Sequence, residues 1–246
     1  MSLRSRGEVR TRSDLESLSQ AVAEDLARIA ASAISVHGWF SLALSGGETP
    51  QVLFGLLARE YHTRIPWARA EIFWVDEHYV PHHDRRSNYG MANDAWLAGS
   101  PVPRENIHPI PTDLPNAEEA ARQYERVLRA HFLNSWPRFD LMLLGLGSDG
   151  HTASLFPRSP ALAEETRWAV AAEAPTEPSH RITLTLPVIN HAAHVHFLVA
   201  GSRKAEALKS ALSGESDPLD CPASAVRPTD GELVWWVDAE AAKLLP

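Results

Sequence analysis

Residues 139–157 constrain the fold of this chain more than any other stretch. Phe139-Asp140-Leu141-Met142-Leu143-Leu144 is a short apolar run, the pattern of a strand buried on both faces of a parallel sheet. It breaks into Gly145-Leu146-Gly147-Ser148-Asp149-Gly150-His151, a glycine-rich turn. Open α/β sheets bind ligands at the carboxyl ends of their strands, where such turns lie. This turn carries an acid, Asp149, and a base, His151, close together. Taken alone, an Asp-x-His turn more often just caps the next element. It is also what a positioned general base beside backbone N–H groups requires.

A second turn of the same kind lies upstream. Phe40-Ser41-Leu42-Ala43-Leu44 reads as a strand, and Ser45-Gly46-Gly47-Glu48-Thr49-Pro50 follows it. Thr49 suits an N-cap and Pro50 the first helical position, with Val52, Leu53, Leu56 and Leu57 continuing at helical spacing. Strand, glycine turn and helix start together make an anion site, because free N–H groups and the helix dipole point at the turn. The pattern is neither a Walker A loop nor a dinucleotide fingerprint.

The rest of the chain alternates helices and strands without a repeat or a linker. Ser13-Asp14-Leu15-Glu16 reads as a capping box before a helix with Leu15, Leu18, Val22, Leu26 and Ile29 on one face. Residues 71–77 read as one strand, Asn116 caps a helix through Phe132, and 194–199 and 233–237 are further strands. Residues 213–231, rich in Pro, Gly, Ser and Asp, read as a long surface loop. This predicts a single α/β, Rossmann-like domain, a mostly parallel sheet flanked by helices. Met1–Arg12 is rich in arginine but has no apolar segment and includes Glu8. Residues 1–12 are therefore expected to be a flexible tail, and 13–246 the domain.

Three stretches in this order and spacing resemble the 6-phosphogluconolactonases, within a wider glucosamine-6-phosphate isomerase/deaminase-like fold. They are Ser45–Pro50, then Phe73-Trp74-Val75-Asp76-Glu77-His78 with Ser87-Asn88-Tyr89-Gly90, then Gly145–Pro157. Arg181-Ile182-Thr183-Leu184-Thr185, Gly201-Ser202-Arg203-Lys204 and Pro222-Ala223-Ser224 extend the resemblance. It implies hydrolysis of 6-phospho-D-glucono-1,5-lactone to 6-phosphogluconate, without a metal or organic cofactor. His151 would be the general base, since histidine's ordinary pKa of about 6.5 leaves neutral imidazole at physiological pH. Asp149 would orient it or hold sugar hydroxyls. Ser45, Gly46, Gly47 and Thr49 would surround the phosphate with Arg181 and Lys204. Asp76, Glu77 and Asn88 would line the sugar pocket, and the turn amides around Gly147 and Gly150 would receive the oxyanion. His78 stands where these enzymes usually carry arginine; Arg85 or Arg86 could replace it, or His78 could act protonated.

Asp76-Glu77 could be a surface acidic pair, and His82-His83-Asp84-Arg85-Arg86 is expected to be a solvated loop, with no histidine or carboxylate cluster at metal-site spacing. His191, His194 and His196 are expected to pack or to face solvent. Lys204 opens a helix, where a cation opposes the dipole, a placement easier to understand beside a bound anion. Deaminases of the same fold carry an Asn-Glu pair where this chain has Leu155-Phe156, neither of which moves a proton. Sugar-phosphate-sensing repressors need a DNA-binding module, and only a tail and one helix precede the first expected strand.

Composition sets further limits. The formal net charge of −8 argues against nucleic acid or an anionic membrane as partner, and means that an anionic sugar must be held by local cations. Cys221, the single cysteine, cannot form an internal disulfide and suits a reducing compartment, so the expectation is a cytoplasmic monomer without an obligate protein partner.

Overall fold

The computed structural model describes residues 7–133 and 135–246. Among these residues nine strands form two sheets: β1 (Glu8–Arg12), β2 (Phe40–Leu44), β3 (Ala70–Trp74), β4 (Asp76–His78), β5 (Leu141–Gly145), β6 (Ala169–Glu173), β7 (His180–Leu184), β8 (His194–Val199) and β9 (Glu232–Asp238). Six make a wholly parallel sheet in the order β1-β9-β8-β5-β2-β3. The others form an antiparallel sheet, β4-β7-β6. The helices are α1 (Leu15–His37), α2 (Glu48–Glu60), α3 (Asn88–Ala95), α4 (Ala117–His131), α5 (Leu186–Ile189), α6 (Ala205–Ser213) and α7 (Ala239–Ala242).

The apolar runs explain the large sheet. All five residues of β2 are buried, as are Leu141 to Leu144 of β5, so neither strand shows alternation. α1 turns Leu18, Val22, Leu26 and Ile29 into the core, each burial contributing about 1.5–3 kcal/mol. Its cap lies one residue later than the sequence suggests. Asp14 Oδ1 accepts from the Ser17 amide (2.8 Å) while Ser17 Oγ accepts from the Asp14 amide (3.2 Å). α4 starts at the expected Asn116, whose side chain accepts from the Glu119 amide.

Three expectations fail. Residues 8–12 are not a free tail: they add a parallel strand to the edge at β9, where Arg10 and Arg12 lie over Trp236 at 5.0 and 5.2 Å. The first six residues of the expected tail lie outside those described. Residues 71–77 are not one strand. β3 ends at Trp74, and the chain passes through Val75 into the other sheet. The Val75 amide donates to Leu44 O at 2.9 Å, while its carbonyl accepts from the Leu184 amide at 2.7 Å. The 213–231 stretch is not all surface loop either. Cys221, Ala223 and Val226 are buried, and the Ala223 amide donates to Gly150 O at 2.9 Å, bracing the turn after β5.

Strand order decides where a ligand can sit. From β2 the chain moves outward to β3, then returns to β5 on the other side of β2. The carboxyl ends of β2 and β5 therefore lie side by side at a topological switch point, with Ser45-Gly46-Gly47 leaving one and Leu146-Gly147 leaving the other.

Candidate active site

A cleft of 440 Å³ opens at this switch point. Its walls include Ser45, Gly46 and Gly47 after β2, Gly147 and His151 after β5, Asp76 and His78 of β4, Asn88 at the start of α3, Arg85, Arg86 and Lys204. Most residues singled out by sequence therefore converge, from five separate segments.

His151 and Asp149 form a dyad. His151 Nδ1 lies 2.5 Å from Asp149 Oδ1, and the His151 amide donates to the same oxygen at 3.2 Å. With Nδ1 as donor, the lone pair is left on Nε2, the arrangement of an oriented general base. Burial, the largest single influence on Asp149, raises its carboxyl, but the hydrogen bond and charge of His151 bring it below the usual value. The Phe156 ring packs 4.7 Å from the imidazole. Gly147 is required by closeness: a Cβ there would collide with His151 Nδ1 and Asp149 Oδ1. A Cβ on Gly46 would likewise collide with the Asn88 amide group.

The turn amides do not serve as expected. Gly147 N–H donates to His151 O (2.8 Å) and Gly150 N–H to Gly147 O (3.1 Å), so both are spent inside the turn. Gly150 does not line the cleft; it packs on Cys221. Side chains bring positive charge to this part of the cleft. Arg86 is gripped by Asp84 at 2.6 Å, whereas Arg85 has no ion pair among the described residues. The 82–86 segment is thus not merely a solvated loop: His82 Nε2 is tied to Ile110 O at 2.9 Å, and both arginines reach the cleft.

The α2 end of the cleft has the features of an anion site. Gly47, not Thr49, is the N-cap, with φ 110°, and no side chain caps the helix. Thr49 falls within the first turn because the glycine already provides the entry conformation. The first amides of a helix have no intrahelical partner, and here no side chain takes them. Thr49 and Lys204 meet in a depression next to the main cleft. Lys204 is half-buried; burial and Arg203 lower its ammonium, while Asp149 and Glu48 act to raise it. The Ser45 hydroxyl donates to Leu143 O at 2.6 Å, so it secures the turn.

The three consecutive residues of β4 face different tasks. Asp76 is 7% exposed and accepts from Ser154 Oγ at 2.7 Å. Its carboxyl is raised by burial, against the Ser154 hydrogen bond and the charges of His151 and Arg181. Glu77 does not line the cleft. It is fully buried and accepts from the amides of His78 (2.7 Å), Asn88 (2.7 Å) and Tyr89 (2.8 Å) and from Ser87 Oγ (3.0 Å). Burial pushes its carboxyl up to about 7 against those four bonds. It holds the start of α3, and so Asn88, whose Nδ2 donates to Asp76 O at 2.9 Å. His78 does line the cleft, but burial first, then Arg181 and Arg86, lowers it to about 4. It is neutral near pH 7 and cannot act as a cation replacing arginine. Arg181 stands behind the cleft, opposite His78 on β7, with its charge directed at Asp76 and Glu77. Ser154 is a site residue that sequence reasoning missed; only the fold brings it to Asp76.

A family model described as glucosamine-6-phosphate isomerases/6-phosphogluconolactonase matches residues 13–235. The chain belongs to that family. A 6-phosphogluconolactonase of Synechocystis is 44% identical over 216 residues, covering 87% of this chain and 88% of the relative. A probable 6-phosphogluconolactonase of Arabidopsis thaliana is 39% identical over 253 residues, covering 98% and 94%. Among solved structures, the 6-phosphogluconolactonase from Trypanosoma cruzi superposes with a TM-score of 0.87 at 29% identity, covering 98% of this chain and 97% of that one. Both isomerase and lactonase names attach to the family, so the residues around the dyad decide between them.

Proposed function

We propose that the chain hydrolyses 6-phospho-D-glucono-1,5-lactone to 6-phosphogluconate, with His151 as general base. One observation carries the reading. An Asp-oriented imidazole faces a cleft whose other end is an uncapped helix N-terminus beside Lys204. The phosphate sits at the start of α2 with Lys204, and the lactone ring spans toward His151, between Asn88, His78 and the two arginines. Nε2 of His151 removes a proton from water as its oxygen attacks C1, giving a tetrahedral oxyanion. Collapse breaks the C1–ring oxygen bond, and the proton on His151 passes to that leaving oxygen, which becomes the C5 hydroxyl. The new acid then ionises. Arg85 and Arg86 are the cations available to the oxyanion, since the Gly147 and Gly150 amides are occupied. Phe156, the apolar ring on His151, supplies no carboxylate for the ring opening that a deaminase performs.

The test offers purified protein freshly generated lactone with EDTA present and follows acid release above the spontaneous rate. Glucosamine 6-phosphate is offered in parallel and ammonia measured. Fast, EDTA-insensitive lactone hydrolysis without ammonia is expected. Ammonia release would replace this reading by deamination, and binding without turnover of either compound by a sensor.

A further inference from the structure

We propose that Glu71, His108 and His131 form a site for a zinc-like divalent ion at the edge of the large sheet, away from the cleft. The three come from different elements. Glu71 is the second residue of β3, His108 follows the Arg104–Asn106 turn, and His131 is the last residue of α4. One ligand atom of each lies within 4.8 Å of the others. No other such cluster of histidine, cysteine and carboxylate groups occurs among the described residues. Positions 71, 108 and 131 show no metal-site spacing because the fold alone brings them together.

The side chains are held for the task. The His108 amide donates to Ile72 O at 2.8 Å, which stitches its segment onto β3. Its ring stacks on Phe73 at 4.5 Å and 20°, and Nε2 meets Glu71 Oε2 at 2.7 Å. The His131 ring stands edge-on to Phe73 at 5.0 Å and to Trp39 at 4.9 Å. Its Nε2 is shielded from solvent yet has no hydrogen-bond partner among the described residues. An unmet buried polar atom of this kind costs free energy and calls for an explanation. A metal ion supplies one.

Donor chemistry selects the ion. Two imidazoles and a carboxylate suit zinc and its late first-row neighbours, while magnesium and calcium prefer oxygen alone. Bonds near 2.0–2.2 Å need only small side-chain rotations to draw the three atoms in. The half-buried setting leaves a way in for the ion. On binding, His108 must offer the Nε2 lone pair, so its ring proton lies on Nδ1. The ion would tie β3, the 108 segment and α4 together. It lies near the start of β3, whereas His151 is at the carboxyl ends of the strands, so its role is to brace the fold and not to take part in lactone chemistry.

The test is calorimetric titration of the EDTA-stripped, dialysed protein with zinc sulfate. One zinc per chain with micromolar or tighter affinity is expected, weakened at least tenfold in both His131→Ala and Glu71→Gln. Zinc a hundredfold above Kd should raise Tm by roughly 5–10 °C, and magnesium should not. Glu71→Gln preserves shape, so it carries the test even where His131→Ala fails to fold. No binding at 100-fold molar excess of zinc, or equal binding by wild type and Glu71→Gln, would overturn the proposal.

Discussion

Replacing Gly147 with alanine tests the dyad without touching a group that moves protons. The backbone of Gly147 is not in the left-handed region, so alanine there brings no φ strain. The new Cβ instead falls within the contact radius of His151 Nδ1, His151 Cε1 and Asp149 Oδ1. All three are atoms of partly exposed side chains and can swing away, so folding should survive with Tm within a few degrees of wild type. The dyad cannot keep its geometry. The imidazole has to retreat by roughly 1 Å, and misplacement of a reacting group on that scale costs on the order of 10²-fold. At about 1.36 kcal/mol per factor of ten, this is close to 2.7 kcal/mol of transition-state stabilisation. Steady-state acid release from the phosphorylated lactone should show kcat falling by about that factor, with KM changed little because the α2 terminus and Lys204 are untouched. His151→Ala sets the outer bound, a fall of roughly 10²–10⁴ for loss of the base itself. Wild-type kcat in a folded Gly147→Ala protein would mean that the His151–Asp149 contact is not what positions the base.

Two further substitutions probe the cleft's ends. Lys204→Ala should raise KM for the phosphorylated lactone far more than for unphosphorylated gluconolactone; equal effects on both would remove Lys204 from the phosphate site. His78, lowered from 6.5 to about 4 by burial and by Arg181 and Arg86, takes up a proton more readily unfolded than folded between those values. It therefore makes stability rise with pH across that window and fall on acidification. His78→Gln should flatten the pH dependence of Tm between 6.5 and 4, and an unchanged slope would show that His78 does not titrate as described.

The centre of the large sheet was legible because β2 and β5 are uninterrupted apolar runs ending in glycine turns, at Leu44-Ser45-Gly46 and Leu144-Gly145, whereas the charged Glu8–Arg12 edge strand was not. Those turns also announced both ends of the cleft, and the family resemblance supplied Asn88 and Lys204, whereas Arg181, which it put with the phosphate, does not line the cleft. The small sheet was not legible. β4 is three residues long and begins one residue after β3 ends, so residues 71–77 look continuous, while β6 is mostly alanine and carries little pattern. Glu77 and Asp76 sit side by side in sequence, yet only burial separates a residue that faces the cleft from one that anchors α3. Which turn amides are free, and that Ser154 reaches Asp76, depend on tertiary contacts that no local pattern encodes.

Val75 has a consequence for how the molecule opens. Its N–H donates into the large sheet, to Leu44 O, and its carbonyl accepts from the small sheet, from the Leu184 amide. The two sheets therefore share a rivet, at the residue next to Asp76, and neither can detach without breaking it. Partial unfolding that releases β4-β7-β6 alone is disfavoured, so the amides of Val75 and Leu184 should exchange with deuterium only at the rate of global unfolding. The cleft walls then persist or vanish as one cooperative unit, which keeps the cations and carboxylates of opposite walls at fixed separation for as long as the protein is folded.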